Sequence, residues 1–272
     1  MMRPFTATAI REWRTVRRYP DAFLGALMWP LLTPVLYLFQ IEAFSGGDDS
    51  VRGAFETRAG TAQIAGFLYV GWLVGSWLNT MLTEMSASMR DQLVRGSLEG
   101  SLLSPASRVA LVFGPAPVYL GLGVLTFVAI LATVVLGTGL RPDTVDILKA
   151  FGLLMLAGPV LAALGALLAN AVLLIRNTAG LVDTVRGLFA TLCGFMYPVA
   201  VLPDWAERVA HALPPTWAAD VLRDVLLRGG SAGVPGFAAA ILGAAVGVGA
   251  LTYATFALAE RRARHTGTLG GY

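Results

Sequence analysis

Long apolar runs, separated by short polar connections, dominate the pattern along this chain. They begin near Asp21, Ala59, Val109, Ala150, Gly187 and Gly229. Most reach the roughly 20 residues that a helix needs to cross a bilayer. The fifth, from Gly187 to Pro203, is close to the lower limit. Backbone polar groups in hydrocarbon must bond within the segment, so a span is a helix or part of a closed barrel. Barrel strands alternate over about ten residues. These runs do not alternate, and the pattern predicts an all-α integral membrane protein in one domain, residues 1–272. The predicted spans are about 22–42, 62–83, 109–137, 149–174, 184–202 and 236–259. Pro30 and Pro34 kink the first. The sixth is rich in Gly and Ala, which allow close helix packing in lipid. The polar stretch 43–61 reads as an external loop.

Before the first run, residues 4–19 predict an amphipathic helix on the membrane interface. Phe5, Ala9, Trp13 and Val16 recur at spacings of four, four and three and make one apolar stripe. Arg11, Arg14, Arg17 and Arg18 fall on the other faces, where anionic headgroups attract them. The run that follows holds Trp29, Tyr37 and Phe39 and no small-residue cleavage pattern, so the first span is expected to be retained.

Composition sharpens this picture. Of 272 residues 56% are hydrophobic and only 14% charged, against about a quarter charged in soluble domains; mean hydropathy is +0.68. The net charge of +3 comes from arginines between the runs, so topology explains it and nucleic acid is not an expected partner. Counting Arg and Lys in alternate connections places 12 on the side holding both termini, the 84–108 loop and Arg176. The other side has 7 (Arg52, Arg58, Arg141, Lys149, Arg208, Arg223, Arg228). The excess predicts cytoplasmic termini. Arginine outnumbers lysine 19 to 1, which points to a GC-rich bacterial genome and hence a bacterial plasma membrane. The single cysteine, Cys193, reads as an apolar packing residue.

Two polar segments carry the candidate chemistry. In the first, Glu84 to Arg108, the four-residue spacing of Met85, Met89 and Leu93 extends the second span as a helix into the cytoplasm. Gly96 interrupts it, Ser97 caps a short second helix with Glu99 in its first turn, Leu102 and Leu103 form an apolar end, and Pro105 stops it. Such a helix suits docking to a soluble partner; an ordinary interfacial loop is the other reading. In the second, Gly194 to Leu227, Pro198, Pro203, Pro214 and Pro215 cannot all sit in one regular span. The pattern predicts a span that breaks near the outer surface, then short half-inserted helices, with Trp205, Val209 and Ala212 on one face. That segment is a candidate outer gate; a plain external loop with interfacial tryptophans is the alternative.

Arg95-Gly96-Ser97-Leu98-Glu99 with Pro105 resembles the coupling region of type-2 ATP-binding-cassette exporter permeases. Tyr197-Pro198 to Leu202-Pro203, followed by Leu213-Pro214-Pro215-Thr216, resembles that family's re-entrant segment. The amino-terminal helix and six runs fit as well; Ser97 in place of threonine and the doubled Pro214-Pro215 depart from the pattern. The resemblance implies a transmembrane subunit that pairs with a second permease, the same or homologous, and with two cytosolic ATPase subunits. It implies that Arg95, Gly96, Ser97, Leu98, Glu99, Leu102, Leu103 and Pro105 form the coupling region. It places Tyr197, Pro198, Leu202, Pro203, Pro214 and Pro215 at the outer gate, and Phe5, Trp13 and Arg14 on the interface helix. The expected cargo is hydrophobic or amphipathic, a drug, antibiotic or lipid-like compound, moved outward. A lipid-linked glycan exporter and a secondary transporter are the alternatives.

The chain carries no phosphate-binding G-x-x-x-x-G-K-[ST] frame: its one lysine, Lys149, lies in Ile147-Leu148-Lys149-Ala150. ATP and Mg are therefore expected on the partner ATPase, with no cofactor here. His211 and His265 lack zinc-helix spacing, no metal site is expected, and no frame for an intramembrane enzyme is present. Asp183 and Arg186, three apart, are placed to pair on a helix. Asn79 and Glu84 fall near the inner end of the second span, and Asn170 is a candidate for hydrogen bonding between helices.

Overall fold

The computed structural model describes residues 2–18, 28–29, 31–39, 49–94, 96, 108–138, 142–172, 178–230 and 233–266. Among these residues the regular structure is helical throughout. The elements are α1 (Met2–Arg18), α2 (Asp49–Ala59), α3 (Ile64–Val94), α4 (Arg108–Phe113), α5 (Ala116–Thr138), α6 (Thr144–Val172), α7 (Thr178–Leu192), a 3-10 turn (Val199–Val201), α8 (Asp204–Ala212), α9 (Pro214–Arg228) and α10 (Val234–Thr266). Residues 31–39 are also helical.

Helices α3 and α6 form the centre. α6 packs against α3 on one side and α10 on the other, while α5 and α9 also lie on α3. The seam between α3 and α6 is filled by Leu78, Met81, Leu82, Leu154 and Leu161, all fully buried. Alanines at 157, 162, 163, 166 and 169 keep the α6 side shallow, so backbones approach closely. Gly165 has the same role, since a Cβ there would overlap the Met81 carbonyl of α3. Trp77 crosses to α5, and its indole N–H donates to the Gly123 carbonyl at 2.9 Å.

Among the described residues three helices are long and apolar enough to cross a membrane: Val109–Val135, Thr144–Ala171 and Val234–Leu258. Their burial differs. Of the apolar stretch of α6, 61% lies inside the protein, against 11% for that of α10. α10 therefore turns Leu242, Val246, Leu251 and Leu258 outward, as a lipid-facing helix does. α3 has 31 residues, about 46 Å at 1.5 Å per residue, but is less apolar. Much of its length is covered by other helices: Ser76 is buried, and Asn79 and Thr80 are half-buried.

Proline and glycine set the breaks. α4 and α5 meet at Gly114-Pro115, within the run expected at 109–137, where proline supplies no N–H. Pro159 is accommodated inside α6. The 43–61 stretch, expected to be a loop, contains the helix Asp49–Ala59. Its half-buried Phe55 meets Phe67 of α3 edge to face, 5.3 Å between ring centres, and this aromatic contact anchors an otherwise polar sequence.

Candidate functional site

On the side expected to be cytoplasmic, α3 continues as one helix to Val94, with Met85 and Met89 buried and Leu93 packed on the core. The helix ends at Gly96, whose φ of 65° lies in the left-handed region that glycine adopts at no steric cost. Its N–H donates to the Leu93 carbonyl at 3.1 Å. Arg95 and the stretch holding Ser97, Leu98, Glu99, Leu102, Leu103 and Pro105 lie outside the described residues.

The amino-terminal helix docks by a contact the apolar stripe did not foretell. Trp13 and Arg14 are exposed, while Glu12, between them and Arg11, is buried. The side chain of Phe5 lies outside the described residues. Glu12 Oε1 accepts from Ser88 Oγ of α3 at 2.7 Å and from Arg11 Nη2 at 2.6 Å. Its Oε2 accepts from the Tyr119 hydroxyl of α5 at 3.2 Å. A carboxylate taken out of water is costly unless donors surround it, and charge-assisted hydrogen bonds are the strong ones. The signal was present in the sequence. Glu12 is the single acid in α1 and stands seven residues after Phe5 and four before Val16, on the stripe itself.

At the other end, α7 is only 15 residues long, about 22 Å, short of the ~30 Å hydrocarbon core. It stops at buried Cys193 and at Gly194, whose φ is 62°. Tyr197 follows, its hydroxyl donating to the Thr191 carbonyl. Pro198 and Leu202 flank the 3-10 turn, and Pro203 caps α8. Pro214 and Pro215 open α9, where a missing N–H costs nothing, and both are buried. The α8 face of Trp205, Val209 and Ala212 is exposed; Ala206 and Ala210 are the ones turned inward.

One arginine of α9 holds this break in place, and a second ties down the end of α2. Arg223 is buried. Its Nη2 donates to the carbonyls of Gly194 at 2.9 Å and Phe195 at 3.0 Å, and its Nε to the Phe67 carbonyl of α3 at 3.4 Å. The guanidinium lies 3.5 Å from the centre of the Phe67 ring, and Asp220 pairs with Nη1 at 3.5 Å. Burial pushes the Arg223 pKa down to about 10, with Asp220 opposing that shift, so the group stays charged at neutral pH. Arg228 Nε donates to the Gly60 carbonyl just past α2 at 3.2 Å. Both thus supply positive charge to carbonyls beyond helix C-termini, where the helix dipole favours it.

Within the bundle the polar contacts run between helices. Asn170 Nδ2 donates to the Thr252 carbonyl at 2.7 Å and to Thr255 Oγ1 at 3.0 Å on α10, the role expected of it. Arg186 and Asp183 pair at 3.1 Å, and Arg186 Nε also donates to Asn79 Oδ1 of α3. Glu84 is half-buried on α3.

These features define a polytopic helical membrane protein with a long central helix and an arginine-stapled break after α7. The sequence model of the ABC-2 type transporter family matches residues 4–227, and the chain belongs to that family. It is the transmembrane subunit of an ATP-binding-cassette transporter, a transport subunit and not the ATPase, and such permeases work with ATP-binding subunits. No curated protein matches the chain.

Proposed function

We propose that this chain is the permease of an ATP-driven exporter that moves an amphipathic or hydrophobic compound, of the drug, antibiotic or lipid-like kind, out of the cell. Six spans cross the plasma membrane of a bacterium with both termini inside. Two permeases, identical or homologous, combine with two cytosolic subunits that carry ATP and Mg. Residues 97–103 form a short coupling helix seated in the ATPase, with Arg95, Glu99 and Leu102 as its main contacts. The proline-rich segment from Tyr197 to Pro215 closes the outer end of the pathway.

The observation that carries this reading is the continuity of α3. It is about 46 Å long, exceeds the hydrocarbon core by some ten residues, and ends at Gly96 directly before Ser97-Leu98-Glu99. Movement of the coupling segment would therefore reach the bundle centre through one rigid helix. The arginine staple at Gly194 and Phe195 supports the outer gate, because it gives the broken backbone defined partners at the far end of the same helix.

Co-purification tests the proposal. The chain should bring down a cytosolic ATPase, and Glu99→Arg should abolish that association while leaving the permease folded. Transport driven by an ion gradient in the lone chain, with no ATPase bound, would overturn it.

A further inference from the structure

A cavity of about 290 Å³ lies between α3 and α7, close to the lower end of the ~300–1,000 Å³ range of small-molecule sites. Its walls are mainly apolar and aromatic: Trp72 from α3, Phe189 from α7, Phe195 beyond the break, and Trp29. One polar patch interrupts them, made by Arg186 and Asp183 of α7 and Asn79 of α3.

One donor in this cavity is not fully used. Arg186 spends Nε on Asn79 and Nη1 on Asp183, and Nη2 has no partner among the described residues. A guanidinium with an unused N–H favours a ligand bringing an anionic acceptor, because charge-assisted hydrogen bonds are the strong ones. Asp183 is a weak competitor for Arg186. Its side chain is 70% exposed, and an exposed i,i+3 pair is worth only about 0.2–1 kcal/mol. Aromatic walls favour a ring over an acyl chain, because offset and edge contacts add to area burial.

We propose that this cavity binds an aromatic molecule bearing an oxyanion, with Arg186 receiving the oxyanion and the aromatic walls receiving the ring. Asn79 orients the guanidinium from the facing helix. The site is the cargo-recognition element of the permease, and in that respect the inference rests on the exporter reading above.

Dansylglycine, a fluorescent aromatic carboxylate, and its neutral counterpart dansylglycinamide are the probes, titrated into the purified chain in detergent with energy transfer from tryptophan as the readout. The carboxylate should bind tighter on the order of tenfold, as one added charge-assisted hydrogen bond predicts. Arg186→Gln should erase that preference and leave amide binding in place. Asp183→Asn, a change at an exposed carboxylate, should widen it by releasing Nη1. Equal binding of both probes to the unaltered protein, a preference that survives Arg186→Gln, or no widening in Asp183→Asn would overturn the proposal. Displacement of dansylglycine by an equal concentration of decanoate would mark an acyl-chain groove and overturn it too. Binding is read on this chain alone, so it should persist in Glu99→Arg. Loss of ATPase association there bears on the exporter reading, and loss of carboxylate preference bears on this one.

Discussion

Ser88 of α3 donates to Glu12 of α1 at 2.7 Å, and this contact fastens the amino-terminal helix to the bundle. Tyr119 of α5 reaches the second carboxylate oxygen, so one buried acid joins three helices. Glu12→Ala should release α1 at a cost of about 2 kcal/mol, the scale of hydrogen bonds to charged groups. Glu12→Gln should cost less, because an amide oxygen still accepts from Ser88. Hydrogen exchange over residues 2–18 checks this: the alanine variant should exchange fastest there, with the centre of α3 unchanged.

Gly71 has no space for a side chain. A Cβ there would overlap the Phe195 carbonyl oxygen and the Arg223 guanidinium. Gly71→Ala should therefore lower stability by about 1–3 kcal/mol, the usual cost of overpacking, and disturb the arginine staple as well. Gly152 of α6 has open space around its Cβ position, and Gly152→Ala should be neutral or stabilise by up to about 1 kcal/mol. Thermal unfolding of the two variants side by side in detergent separates steric from propensity effects.

Arg223→Met keeps the length and apolar stem of the side chain but leaves the Gly194 and Phe195 carbonyls without their donor. The expected cost is about 3 kcal/mol, as when one partner of a buried polar set is removed. Arg223→Lys restores charge without the planar fork and should recover only part of it. Limited proteolysis between residues 193 and 203 should rise in the order wild type, lysine, methionine. Equal cleavage in all three would show that the break is held by packing alone.

Asn170→Leu removes two hydrogen bonds to α10 yet should cost only about 0.6 kcal/mol, the mean for such bonds within a bilayer. The Asn170 Oδ1 is buried without a partner among the described residues, and its removal offsets part of the loss. Unfolding in mild detergent against a denaturant series measures the difference; a cost above ~2 kcal/mol would mean that the contact also fixes the α6–α10 register.

The sequence by itself determined what depends on neighbours along the chain. Charge-free runs required helices in lipid, because no other local structure satisfies the backbone there. Gly96 and the prolines at 198, 203, 214 and 215 marked breaks, since φ and the missing N–H are properties of single residues, but the fifth span, expected to reach about 202, ends at Leu192 before Gly194. The Asp183–Arg186 pair followed from a spacing of three. Tertiary structure decided what depends on residues far apart. Glu12 sat on an apolar stripe and gained its meaning only when Ser88 and Tyr119, 76 and 107 positions away, came within reach of its carboxylate. Arg223 read as one more external positive charge until the fold set the Gly194 and Phe195 carbonyls beside it. On α8 the residues turned inward, Ala206 and Ala210, were likewise chosen by the assembled fold, because close packing against neighbouring helices selects small side chains.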